Sequence, residues 1–169
     1  MNSIRAQAGL DPKLAGPEVE RRPRRSVTLQ KEIEMTYTIE RFNPPSLFDA
    51  SESNHSQVTT VEAGRLAFFS GQVAWTPEGT RAPRSLSDQT KVIMGHLRAG
   101  LEAIGSVPSD IVMMRIYVVN LTPDRTAEVF PHLRAFLGDV HPSMTGIGVQ
   151  ALAGPDLEIE VEMIARVPS

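Results

Sequence analysis

The chain contains no cysteine among its 169 residues, which excludes disulfides and thiolate metal sites. It also lacks any apolar run approaching the roughly 20 residues that a membrane-spanning helix needs, so no membrane partner is expected. The first residues have no apolar core of the kind a secretory signal requires, and a soluble cytoplasmic protein is the expectation. Charge of one sign is nearly balanced by the other, at a net −3. That balance gives no basic footprint for a nucleic-acid partner. His96, His132 and His141 show no ligand spacing such as two histidines one helical turn apart, so neither a metal nor a cofactor is assigned. What remains is a chain long enough for one self-sufficient core.

Residues 1–35 differ from the rest. They hold no aromatic residue, are broken by Pro12, Gly16-Pro17 and Pro23, and carry the basic run Arg21-Arg22-Pro23-Arg24-Arg25. Low hydrophobicity with proline and charge does not offset ordering entropy, so residues 1–35 read as a flexible extension and 36–169 as a single domain. Met35 is an alternative start.

From there the chain alternates elements. Tyr37–Phe42 is β-prone and ends at Asn43-Pro44-Pro45. Val58–Val61 and Leu66–Phe69 read as two strands joined by a hairpin through Gly64. Ser85 or Ser87 can cap a helix whose apolar face is Ile93, Leu97, Leu101 and Ile104, closed by Gly105. Ile111–Val119 is a β-branched buried strand. Thr122-Pro123 starts a second helix with the stripe Val129, Leu133, Phe136 and Leu137, ended by Gly138. The order β-β-β-α-β-α-β-β predicts an α+β fold with two helices on one face of a mixed sheet.

The last stretch, His141–Ala165, carries the candidate chemistry. Ile147, Val149 and Ala151 alternate with Gly146, Gly148 and Gln150; Leu157, Ile159, Val161 and Met163 alternate with Glu158, Glu160 and Glu162. With Ala153-Gly154-Pro155-Asp156 between them, the two runs read as a β-hairpin. One of its faces would then show glycines beside a ladder of carboxylates. By pattern alone those glutamates are a solvated strand face.

The same residues resemble a family. Pro142, the strand Thr145–Val149, a turn and then Glu158-Ile159-Glu160-Val161-Glu162 followed by Ile164-Ala165 are similar to the C-terminal signature of the Rid (YjgF-like) enamine/imine deaminases. Leu66–Gln72, LAFFSGQ, resembles the family's strand ending in Ser-Gly-Gln. His55-Ser56-Gln57 resembles its Tyr-Ser-Gln, with His55 at the Tyr position; without a slightly longer hairpin Gln57 falls there instead. The resemblance implies a chorismate-mutase-like fold, a homotrimer and a small-molecule pocket between subunits. It implies that Glu160 positions water for attack on an imine carbon. Ser70, Gly71, Thr145, Gly146 and His55 would line the site. It also exposes a departure. The deaminase subgroup carries an Arg two residues after the proline to clamp the substrate carboxylate, and here that position is Met144. Methionine supplies neither charge nor a donor fork. Arg81, Arg84 and Arg115 are candidate replacements. The expected activity is therefore a Rid-like hydrolase that handles 2-imino acids poorly; the alternative is a non-catalytic trimeric binding or regulatory protein.

Overall fold

The computed structural model describes residues 38–76, 79 and 83–168, all within the unit Glu34–Ser169. The extension read at 1–35 lies outside the described residues, as does Arg81.

Six strands and two helices follow in the expected order: β1 (Ile39–Phe42), β2 (Val58–Val61), β3 (Leu66–Gln72), α1 (Leu86–Ala103), β4 (Ile111–Val119), α2 (Pro123–Leu137), β5 (Ser143–Val149) and β6 (Ile159–Arg166). The helices begin and end where local chemistry dictates. Ser85 caps α1, its hydroxyl accepting from the Asp88 N–H, and Gly105 beyond the C-terminus takes φ +70°. Thr122 caps α2 by accepting from the Arg125 N–H, Pro123 occupies the first turn, and Gly138 ends the helix at φ +61°.

The sheet order differs from the chain order. β3, β6, β4 and β5 form one mixed sheet in that sequence, with β4 and β5 parallel and the other pairs antiparallel. β1 and β2 form a separate antiparallel pair, tied to the start of β5 by the Ser56–Ser143 bridge. Neither expected hairpin forms. β2 pairs with β1 and β3 with β6, while β4 lies between β5 and β6. Residues 150–158 are therefore a crossover past β4, and their turn residues serve that passage.

The inserted strand also corrects the reading of faces. Ile116 lies opposite Gly146 on one side and Val161 on the other, whereas Tyr117 lies opposite Ile147 and Glu160. Because side chains alternate along a strand, Met144, Gly146 and Gly148 share the helix-covered face with Val161. Ile147 and Val149 share the opposite face with Glu160 and Glu162. The glycines and the carboxylates thus lie on opposite sides of the sheet.

The helix-covered face holds the core. Ile93, Leu97 and Leu101 of α1 and Val129, Leu133 and Phe136 of α2 pack with Met114, Ile116, Val161 and Met163, all buried. Arg98 of α1 stacks 5.5 Å from the Phe136 ring centroid, adding a contact at the helix seam. The other face has no covering layer among the described residues: Phe68 is 74% exposed and Leu66 39%.

Candidate functional site

The residues singled out in the sequence fall into two groups, one on each face of the sheet.

On the helix side, α2 and β5 diverge to leave a cleft of about 550 Å³. Met144 and Gly146 form its floor with Ile116 and Val118, and Phe130 and Leu133 of α2 form a wall. His55 and Glu52, from the segment before β2, stand at its edge. A side chain at position 146 would meet nothing within 4 Å, so the glycine there leaves open space. Gly148 is different, since a Cβ would lie 3.2 Å from Leu121 Cβ and the absent side chain serves close packing. The two residues that could take the family's Tyr position lie apart. His55 lines the cleft, while the Gln57 amide donates to the Phe48 carbonyl, 3.2 Å away.

On the open face, a bulge in β3 between Phe69 and Gln72 breaks the register with β6. Bulges re-aim side chains, and here Ser70 is turned to line a recess of about 260 Å³ with Phe68, Arg115 and Glu162. Gly71 lies directly under the carboxylate of Glu160; a Cβ there would collide with Glu160 Oε1. Any side chain at this position would push Glu160 aside. Beside Glu160, the Tyr117 hydroxyl donates to Glu162 Oε2 at 3.0 Å, and Arg115 Nη1 approaches the same oxygen at 3.4 Å. Desolvation, then the hydrogen bond to Glu162, raises the Tyr117 pKa above its ordinary value. Thr145, opposite Arg115 in the ladder, is exposed on this face.

Of the predicted site residues, Met144, Gly146 and His55 come together in the cleft. Ser70, Gly71 and Glu160 come together on the open face, with Thr145 on the same side, and a single chain does not join the groups. Within one chain Arg115 does not reach the cleft. It sits between Met114 and Ile116, both buried toward the helices, and so points away. Arg84 is exposed before α1 and does not line the cleft. Glu158 precedes β6 and pairs with Arg125 in the first turn of α2, outside the ladder that Glu160 and Glu162 share. Among the described residues no cluster of histidine, aspartate and glutamate has the geometry to hold a metal ion. No described helix is long and apolar enough to cross a membrane.

Sequence reasoning missed two features. One is the α2 wall, because Phe130 lies beside the core stripe that Val129 and Leu133 define. The other is the Tyr117–Glu162–Arg115 set, which needs the β4–β6 register.

A small α+β domain with helices on one sheet face and a glycine-seated carboxylate on the other defines a class, and comparison with known proteins defines it further. Residues 49–167 match the family model described as endoribonuclease L-PSP. The chain is 33% identical to YyfB of Yersinia pestis, a protein of unknown function of the conserved Rid protein family. The two structures superpose with a TM-score of 0.72 over 76% of this chain and 98% of that one. It is 27% identical over 109 residues to TdcF of Escherichia coli K12, provisionally named a reactive intermediate deaminase, covering 64% of this chain and 84% of the relative. A RutC family protein of Pyrococcus horikoshii is likewise 27% identical over 107 residues, 62% of this chain and 82% of that protein. The chain belongs to the Rid/YjgF family.

Proposed function

We propose that the protein is a cytoplasmic hydrolase of the Rid type, removing ammonia from a small reactive imine or enamine at sites shared between subunits of a homotrimer. The observation that carries this is the seat of Glu160 over Gly71. Bare backbone at the bulge lets the carboxylate lie against position 71, where a side chain would displace it. As general base it takes a proton from a water whose oxygen bonds to the imine carbon, and it then passes that proton to the nitrogen. The resulting carbinolamine then collapses to a carbonyl compound and ammonia. No external oxidant or reductant enters this balance.

The two faces support assembly. Phe68 and Leu66 on the open face are apolar surface that association would bury. In a closed ring of identical subunits, the open face of one chain meets the cleft of the next, bringing Glu160 to a ligand held near Met144. The acidic open face and the net charge of −3 favour a small molecule over a nucleic acid, despite the nuclease description attached to the family model.

Met144 bounds the substrate. With methionine where a carboxylate reader would stand, 2-imino acids are poor substrates, and other imines are favoured. The same residue favours a second reading, a pocket that binds without turnover. Ammonia release from freshly generated imines, with and without a carboxylate, separates them. Hydrolysis of the uncharged imines alone is the expected result; release from none establishes the binding reading. Met144→Arg should strengthen binding of a carboxylate-bearing ligand by about ten- to a hundredfold, the worth of one charge-assisted contact. A folded trimer of that variant with no such gain removes Met144 from the site.

A further inference from the structure

His55 and Glu52 offer acceptors at the cleft, and the Ser53 hydroxyl beside them can donate or accept. His55 Nδ1 lies 3.2 Å from the Ser53 carbonyl. A carbonyl only accepts, so Nδ1 carries the proton, and in the neutral ring Nε2 is left as a bare acceptor. Among the described residues Nε2 has no hydrogen-bond partner. Glu52 at the edge adds a carboxylate, again an acceptor. The Thr126 hydroxyl is spent on the Thr122 carbonyl at 3.0 Å. No lysine or arginine is among the described lining residues.

We infer that the cleft takes a small molecule with an uncharged apolar body and an NH₂ donor end, an amide or an imine in its iminium form, read by His55 Nε2. The apolar body lies against Met144, Phe130 and Leu133. A volume of about 550 Å³ is within the usual range for small-ligand sites. The acceptors do more than orient the ligand. They favour the protonated C=NH₂⁺ form over C=NH, and the protonated form is the one that water attacks more readily. His55 is thus a specificity-determining residue that selects donors, where a cation would select carboxylates. This rests on the proposal that the cleft belongs to the ligand site, but not on turnover.

The test is binding of a matched set of probes to the full chain by titration calorimetry: benzamide (an NH₂ donor), N,N-dimethylbenzamide (no donor) and benzoate (an anion of the same size). Benzamide should bind about tenfold more tightly than the dimethyl compound, the worth of one to two neutral hydrogen bonds. Benzoate should bind more weakly than benzamide. His55→Phe should collapse the benzamide preference to about twofold, and His55→Gln, which keeps an acceptor oxygen, should restore part of it. In wild-type protein labelled with ¹⁵N-histidine, benzamide should shift the His55 Nε2 resonance and the dimethyl compound should not; this arm stands even where His55→Phe fails to fold. Benzoate binding as tightly as benzamide, a preference untouched by His55→Phe, an unmoved Nε2 resonance, or saturable binding of none of the probes each overturns the inference. Ammonia release from imines is read separately. Donor selectivity without turnover refutes the hydrolase and leaves the cleft's ligand class standing. Turnover without donor selectivity does the reverse.

Discussion

The two faces of the sheet are built from alternate residues of the same strands, yet they have little else in common. Toward the helices, Met114, Ile116, Val161 and Met163 are each no more than 6% exposed. Toward the open side, the intervening residues are Arg115, Tyr117, Glu160 and Glu162, with Phe68 nearby at 74% exposure. One set removes apolar surface from water and stabilises the chain. The other places charge, a phenol and unburied apolar surface where another molecule can meet them. The division weakens at β5, where α2 leaves the sheet and the cleft opens, and at the end of β6, where Arg166 on the open side is buried. Stability and recognition are thus separated by strand parity, and substitutions on the two faces should have different consequences.

The largest contrast is expected at Glu160. Glu160→Ala should lower ammonia release by about 10²- to 10⁴-fold, the usual worth of a positioned general base. Gly71→Ala should do nearly the same, because its Cβ displaces the carboxylate; the displaced group is the end of a flexible side chain, so the fold survives. Thermal melts of both variants should match wild type. Unfolding of Gly71→Ala would mean that the glycine serves packing instead.

On the covered face the expected effect is on stability. Leu97, at 0% exposure, should cost about 2–5 kcal/mol when changed to alanine. Phe68→Ala, measured in the dissociated chain, should stay within about 0.5 kcal/mol. Denaturant unfolding reads both. A large loss from Phe68→Ala in that state would show that the open face is covered within one chain.

The smallest effect is at Tyr117, on alkaline titration. Its folded pKa is raised, so the neutral phenol's contribution to stability is present below the unfolded value near 10 and is lost as pH rises through the folded value. Glu162→Gln should move the phenol's absorbance titration down toward the ordinary value, since it removes the charge that opposes ionisation. An unchanged titration would leave desolvation and the Glu160 charge as the causes.

Both helices were legible in the sequence because their signals are local: Ser85, Thr122-Pro123, Gly105 and Gly138 act within a turn of where they stand. The α+β class followed from the element order. The sheet order did not, because the pairing of β4 with both β5 and β6 is a long-range choice. Alternating runs on either side of Gly154-Pro155 look the same whether or not a third strand lies between them. That misreading put Gly146 beside Glu160, when the β4 register sets them on opposite faces. The candidate residues themselves came from resemblance and from the oddity of Met144. The surroundings of His55 and Gly71 became visible only with Ser53 and the β3 bulge in place around them.

β5 ends the order β3-β6-β4-β5, and among the described residues only its first is bridged on the far side. Met144 and Gly146 therefore stand on one of the sheet's two edge strands, β3 being the other. β4 and β6 are each paired on both sides and carry the centre of the core. Under the proposed function, a charged reader and a neutral one could be exchanged at position 144 without rebuilding the sheet's centre.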